Sequence, residues 1–325
     1  MSVDISKLLK PSMAKVEDVL NETLTGSQIE QQVNAMCQLM VSAGGKRMRP
    51  QITVLCAKAQ DSFKEDQHES LVCQFGAAIE LLHTATLIHD DVIDKATVRR
   101  GVPTLNDTSG NHAAVLAGDY LFTRAFHIAT KIGKFAFIRL LNHTIATLVA
   151  GEIDQLKHEG FLDLKVNDYY TIIYCKTGVL FEVAASTFVT IMDEEDPRIA
   201  NFQSYGRNLG KAFQIIDDIL DFSSDQETLG KPVGEDLEDQ RITLPIILAI
   251  ENTQGKDREA LANAVENSDF AVVKDFIDRT GSIQKCKDIA YQACDEARES
   301  ISFLRESPYK EALNNILDMC VNRSF

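Results

Sequence analysis

Proline, basic residues, paired cysteines and strand-like alternation are all scarce in this chain, and each scarcity excludes something. Only seven prolines occur in 325 residues: Pro11, Pro50, Pro103, Pro197, Pro232, Pro245 and Pro308. They leave 93 residues free of proline between Pro103 and Pro197, and 62 between Pro245 and Pro308. A proline costs about 3 kcal/mol in a helix interior, so such long reaches favour helix. Alternation of apolar and polar residues, the mark of a half-buried strand, is rare. Positive charge is also short, with 33 Lys and Arg against 48 Asp and Glu, a net charge of −15. That sign excludes the basic footprint of a nucleic-acid binder and opposes attraction to anionic lipid.

The seven cysteines (Cys37, Cys56, Cys73, Cys175, Cys286, Cys294 and Cys320) are odd in number, widely spaced and without a C-x-x-C. They point to reduced thiols rather than a disulfide frame or a zinc site. No apolar run of about 18 residues stands out to span a bilayer. The start of the chain, MSVDISKLLKPSMAKVEDVL, has no signal-peptide apolar core. The expectation is a cytoplasmic protein with no integral membrane segment and no nucleic-acid partner.

What is present is helical pattern. With 45% hydrophobic and 25% charged residues the chain has a globular composition, which rules out wholesale disorder. Ile283, Cys286, Ala290, Ala293, Ala297, Ile301 and Leu304 recur at three- and four-residue steps. The stretch from Val72 to Ile93 is apolar almost all round, as in the central helix of a bundle, and Asn111 to Ile132 reads similarly. Breaks are expected near Gly101–Pro103, at Gly160, and over 193–197, 223–234 and 269–281. No linker, low-complexity tract or repeat of solenoid length marks a boundary. The reading is all-α: one helical bundle domain, residues 1–325, of ten or more helices.

Two acidic clusters interrupt these apolar runs. LIHDDVIDKATVRRG holds Asp90, Asp91 and Asp94; FQIIDDILDF holds Asp217, Asp218 and Asp221. Each is D-D-x-x-D, so its first and third carboxylates lie one helical turn apart on one face. A solvated acidic face explains one such cluster on a polar helix, but it does not explain two with apolar flanks. Like charges buried among Leu, Ile and Phe demand a cation. Oxygen ligands of this kind suit Mg²⁺, which takes one or two carboxylates together with water and phosphate oxygens. Cations stand nearby in sequence: Lys46, Arg47 and Arg49 in GGKRMRP, Arg99 and Arg100, Lys176 in KTG, and Lys231 and Arg241 in GKPVGEDLEDQRITLP. GGKRMRP lacks Walker A spacing. A mixed set of arginines and lysines fits the recognition of phosphate anions.

These motifs, in this order and nearly end to end, resemble the trans-isoprenyl (polyprenyl) diphosphate synthases. GDYLFTRAF and GRNLGKAFQIIDDILDF extend the match. The resemblance implies the isoprenoid synthase helical bundle, a homodimer, and Mg²⁺-dependent head-to-tail addition of isopentenyl diphosphate to an allylic diphosphate such as farnesyl diphosphate. By the same resemblance, Asp90, Asp91, Asp94, Asp217, Asp218 and Asp221 hold Mg²⁺ on the allylic diphosphate. Arg99, Lys176, Thr177, Gln214 and Lys231 contact that leaving group, and Lys46, Arg49, His83 and Arg100 bind isopentenyl diphosphate. His89 is read as packing. Two places depart from the family pattern. Arg241 replaces the lysine of G-K-x-T-L-P, so its phosphate contact is less secure, and VNRSF offers only Arg323 as a lid charge.

The implied chemistry is ionisation of the allylic C–O bond, attack by the isopentenyl double bond on the cation, and proton loss to the departed diphosphate, with no side-chain general base. A growing chain running toward the N-terminal side of the Asp90 helix passes Thr86 and Ala85, about one to one and a half turns before Asp90. Both are small, and Leu82 and Ile79 continue the expected wall, with Phe126 either a partial floor or, equally, a core packing residue. A product of about C35 to C50, centred on octaprenyl, is the expectation. The alternatives are a short-chain (farnesyl or geranylgeranyl) synthase, a class I terpene cyclase, and a non-catalytic partner subunit. A cyclase would not need the second cation set, and a partner subunit would have eroded acidic clusters.

Overall fold

The structure is a computed structural model that describes residues 3–223 and 234–322. Helix dominates it, as the scarcity of proline and of alternation requires. The described residues hold sixteen α-helices and a two-stranded antiparallel ladder. By internal packing the chain divides into two compact units. One comprises Met1–Ile145, Leu180–Gln203 and Ile301–Asn315; the other comprises Ala146–Val179, Ser204–Ser300 and Ile316–Phe325.

The first unit contains α1 (Ile5–Thr23), α2 (Gln31–Ser42), α3 (Met48–Lys58) and α4 (Glu65–Ile93), then the ladder β1 (Val98–Arg99) and β2 (Val102–Pro103). These are followed by α5 (Leu105–Ser109), α6 (Asn111–Ile132) and the start of α7 (Phe135–Lys157). Helix α4, 29 residues and about 43 Å long, is the axis of this unit, and α1, α3 and α6 pack against it. Its apolar run explains why. Phe75, Ile79, Leu81, Leu82 and Ala85 have no accessible surface, and the Phe75 ring lies 4.6 Å from that of Phe137. Glycines admit the close approaches. A Cβ on Gly76 would stand 3.2 Å from Pro50 Cα, and one on Gly118 would stand 2.2 Å from His89 Nε2.

The second unit takes the rest of α7, then α8 (Val166–Ile173) and a five-residue π-helical turn, Tyr174–Gly178. That turn leads directly into α9 (Val179–Met192), which from Leu180 onward belongs to the first unit. Next come most of α10 (Ile199–Ser223), the short α11 (Glu235–Glu238), α12 (Leu244–Glu251), α13 (Gly255–Glu266), α14 (Phe270–Thr280) and α15 (Ser282–Ser300). The last residues of α16 (Pro308–Val321) complete it. Every residue from Leu244 to Ile250 is buried, and α12 packs on α8, α13, α14 and α15.

Several prolines start helices rather than merely avoiding them. Pro50, Pro245 and Pro308 all fall in first turns, where a missing N–H costs nothing. Two sequence expectations are corrected. The break expected over 269–281 is a helix: Asp269 caps α14 by accepting from Val272 N at 3.2 Å, and Gly281 ends it at φ 64°. The residues read as a loop are two caps with a helix between them. The absence of a membrane-length apolar run also needs revision. Glu65–Ile93 and Val166–Met192 are long and apolar enough by composition, with mean hydropathies of 1.5 and 1.4 in their best windows. Burial of 72% and 78% of those windows identifies them as core segments.

Candidate active site

In the first unit, α4 carries both an acidic end and a basic flank. Asp90, Asp91 and Asp94 occupy its last turn and C-cap. Asp90 and Asp94 are half-buried, while Asp91 is 1% exposed and pairs with the Arg99 guanidinium. Burial raises the Asp91 carboxyl above the usual carboxylate range, against the pull of Arg99. Its Oδ2 is buried without a hydrogen-bond partner.

Two turns earlier on α4 lies His83, half-buried. Burial, and then the positive field of Arg49, Arg100, Arg99 and Arg47, holds its imidazole well below the usual histidine range, so it is neutral at pH 7. Arg49 stacks on the Phe181 ring at 4.7 Å, and its Nε is buried with no hydrogen-bond partner. Burial and the neighbouring Arg100 lower the Arg49 guanidinium to about 10. Arg100, at φ 52°, donates from Nη1 to the Gly44 carbonyl. A Cβ on Gly45 would stand 2.6 Å from that same Nη1, and φ 137° at Gly45 already requires glycine. Lys46 is exposed. Met40, Ala43, Thr84, Leu87 and Ile88 line a small cavity with Arg99 and Arg100. His89 is packing: its Nε2 lies 3.0 Å from Val115 O, and its ring meets Phe122 edge-on at 5.6 Å.

The expected chain wall is only partly accessible. Ala85, Leu82 and Ile79 are sealed against neighbouring helices, whereas Thr86, Phe122 and Phe126 are half-buried. Because α4 and α6 run antiparallel, the contact of His89 with Phe122 puts Phe126 near the Ala85 turn. The accessible line on α4 is therefore His83, Thr86, Leu87 and Asp90.

The second unit holds the other acidic cluster in a different electrostatic setting. Asp218 and Asp221 are buried and Asp217 is half-buried. Asp218 Oδ2 accepts from Tyr169 Oη at 2.6 Å and its Oδ1 accepts from Gln214 Nε2 at 2.9 Å. Gln214 Oε1 accepts in turn from Thr177 Oγ1 at 2.8 Å. Burial, reinforced by Asp236 and Asp217, pushes the Asp218 carboxyl well above the usual range despite the Tyr169 and Gln214 hydrogen bonds. Asp221 accepts from the backbone N–H of Gly234 at 3.1 Å and of Asp236 at 3.4 Å. Lys176 and Thr177 ride on the π turn, a widening frequent at functional sites. Lys176 Nζ lies 3.5 Å from Glu152 Oε2 and donates to Gln155 Oε1 at 3.3 Å. Gly151 makes this geometry possible, since a Cβ there would stand 2.2 Å from Cys175 Cβ. Arg241 pairs with Asp236 at 3.5 Å and Asp239 at 3.4 Å. A cavity of about 90 Å³ is lined by Tyr169, Lys176, Gln214, Asp218, Asp236 and Arg241, among others. Lys231 and Arg323 lie outside the described residues.

Comparison with known proteins decides the family. The polyprenyl synthetase family model matches residues 30–279. The chain belongs to that family. It is 34% identical over 323 residues to octaprenyl diphosphate synthase of Escherichia coli (strain K12), covering 98% of each chain. It is also 31% identical over 328 residues to a short chain isoprenyl diphosphate synthase of Methanothermobacter thermautotrophicus, covering 99% of each. The crystal structure of a polyprenyl synthase from Caulobacter crescentus CB15, complexed with calcium and isoprenyl diphosphate, superposes with a TM-score of 0.89. That pair shares 30% identity over 100% of this chain and 99% of the other. The protein is a trans-prenyltransferase of the polyprenyl diphosphate synthase type, on the all-α isoprenoid synthase fold.

Within this prenyltransferase, no three His, Cys, Asp or Glu side chains converge on one point among the described residues. The donor set still fits a hard divalent cation that completes its shell from water and phosphate. Every candidate donor is a carboxylate oxygen, and Asp91 Oδ2 is buried and unpartnered. Two polar residues around the second cluster escaped the sequence reading. Asp236 was visible in the acidic run GEDLED, but nothing in sequence ties Tyr169 to Asp218, 49 positions away. Tyr169→Phe removes a hydrogen bond to a buried carboxylate, a loss of about 1.5–3 kcal/mol of stability. It also frees Asp218 and with it Gln214. Thermal melting and turnover should both fall; a variant that melts and turns over like the parent would show that this bond does not hold the cluster.

Proposed function

We propose that the enzyme is Mg²⁺-dependent and adds isopentenyl diphosphate units to an allylic diphosphate such as farnesyl diphosphate, giving an all-trans product of about C35 to C50. The observation that carries this reading is the charge pattern of α4. Acidic residues end the helix, and about two turns (~10 Å) before Asp90 stands the neutral His83, in the field of Arg49 from α3 and Arg100 from the β1–β2 turn. An acidic end suits a metal-bound diphosphate, and a separate cationic set suits a second diphosphate without metal. A terpene cyclase has one diphosphate substrate and no use for the second set.

In this reading Asp90, Asp91, Asp94, Asp217, Asp218 and Asp221 serve the metal side of the allylic diphosphate. Bound Mg²⁺ would supply charge neutralisation for the leaving group. Arg99, Lys176, Thr177, Gln214 and Lys231 orient that diphosphate by hydrogen bonds, and Arg241, paired with Asp236 and Asp239, is a further phosphate-binding residue in this reading. Lys46, Arg49, His83 and Arg100 hold isopentenyl diphosphate, with neutral His83 donating one N–H without adding charge. The whole chain, residues 1–325, acts as one domain; four of the five divisions between the packed units fall inside α7, α9, α10 and α16, and the fifth falls at the end of α15.

A short-chain product is the second reading, favoured by the sealed surface at Ala85, Leu82 and Ile79. Incubation of the pure protein with farnesyl diphosphate, isopentenyl diphosphate and Mg²⁺, followed by chromatography, decides between them. No elongation at all would support a partner subunit instead.

Asp90→Ala and Asp217→Ala should each lower turnover by orders of magnitude while the protein still folds, as read by kinetics and circular dichroism. Near-parental turnover in either would remove that cluster from the chemistry. Thr86→Phe places a ring on the accessible side of α4 and should shorten the product to about C15 to C20, one turn (~5.4 Å) from Asp90. Ala85→Phe instead enters a packed core and should cost about 1–3 kcal/mol of stability. A Thr86→Phe enzyme with parental product length would place the growing chain elsewhere. A cytoplasmic homodimer belongs to the same proposal. It is supported by seven cysteines outside any disulfide and by apolar side chains left exposed on α6 (Val115, Leu116) and on α7 (Val149, Ile153, Leu156). Sedimentation velocity on protein from the cytosolic fraction should give twice the chain mass, and Leu116→Glu should reduce it; a monomer in the parent would end the dimer reading.

A further inference from the structure

The motif GGKRMRP supplies three cations, and the structure separates one of them from the other two. Arg47 stands at the N-cap of α3 with φ 48°, after Gly44 at φ 92° and Gly45 at φ 137°. A left-handed arginine next to such a loop persists only where its surroundings over-determine it. Here one guanidinium does so. Its Nε donates to Glu17 Oε1 on α1 at 2.7 Å, its Nη1 to Glu80 Oε1 on α4 at 3.1 Å, and its Nη2 to the Val41 carbonyl on α2 at 2.6 Å. Glu80 is 2% exposed, and its charge also acts on Arg49 and Arg100. The loop that Arg47 fixes is in contact with both. Arg49 follows two residues later in the first turn of α3, and the Arg100 guanidinium lies against Gly45 and donates to Gly44 O.

We propose that Glu80 and Arg47 are positioning residues for isopentenyl diphosphate. They clamp the 44–47 loop to three helices, so that Arg49 and Arg100 stand ready for an anion neither of them touches unaided. Arg47 has its donors committed to protein oxygens and does not itself bind the diphosphate. The inference rests on the reading of Arg49 and Arg100 as the isopentenyl diphosphate set.

The sign of one effect tests it. By charge alone, Glu80→Gln removes a negative charge beside an anion site and should lower KM for isopentenyl diphosphate. A clamp predicts the reverse, because a loosened loop misplaces its ligating groups. Glu80→Gln and Arg47→Met should each raise that KM about tenfold, with kcat and the allylic KM changed by less than about twofold. The double variant should be no worse than either single one, since both changes release the same clamp. Glu17→Gln, a change at a half-exposed partner, should shift KM in the same direction and covers the case in which a buried variant fails to fold. If KM for isopentenyl diphosphate stays level or falls in Glu80→Gln and Glu17→Gln while melting temperature drops, the pair is structural only and the proposal is overturned. Arg49→Ala separates the two possible failures. If Arg49→Ala leaves KM for isopentenyl diphosphate unchanged, the site reading fails and the clamp with it; if it raises KM while the clamp variants do not, the clamp alone fails.

Discussion

Charge buried on an apolar helix is the constraint on which the site depends. Helix α4 must be apolar to serve as the axis of its unit, yet within four turns it carries Glu80, His83, Asp90 and Asp91. Each is reconciled with burial differently. Glu80 meets Arg47, His83 stays neutral through burial and then the field of four arginines, and Asp91 meets Arg99. These compensations are incomplete: Arg49 Nε and Asp91 Oδ2 remain buried without partners. In a protein that only folds, such groups are a cost of a few kcal/mol each. In the proposed reading, they are the groups that a diphosphate and a divalent cation would meet.

The second acidic cluster meets the same constraint with neutral donors. Tyr169, Gln214 and two backbone N–H groups bond Asp218 and Asp221, where the first cluster uses an arginine. Neutral donors stabilise a carboxylate without cancelling its charge, so the negative potential stays available to a cation. The π turn extends the arrangement by placing Thr177 on Gln214 and Lys176 beside Glu152. Gly151 admits this turn, since a Cβ there would stand 2.2 Å from Cys175 Cβ.

The resemblance to the family rests on short motifs whose chemistry is local, two D-D-x-x-D clusters, GGKRMRP, RRG and KTG, while the family model over residues 30–279 shows the membership. Local chemistry survives in linear sequence, so fold class, reaction type and the residues of each motif were legible before any coordinates. Helix boundaries were less so. The apparent break over 269–281 shows the limit, because Asp and Gly signal caps as readily as loops, and only the intervening period of Val273, Phe276 and Ile277 on the core tells them apart.

What the sequence by itself determined is therefore the inventory: an all-α chain, its acidic and basic motifs, and the small residues Ala85 and Thr86 before Asp90. Those follow from composition, periodicity and spacing, all of which act over a few residues. The tertiary structure alone decided which of these groups is satisfied and which is left open. Arg47 and Arg49 are two positions apart and look alike in sequence, but one is clamped by Glu17 and Glu80 and the other faces Phe181 with a free Nε. Ala85 and Thr86 are neighbours, but a helical step of 100° seals one in the core and leaves the other half-buried. Partnership and exposure depend on residues tens of positions away, and no local pattern encodes them.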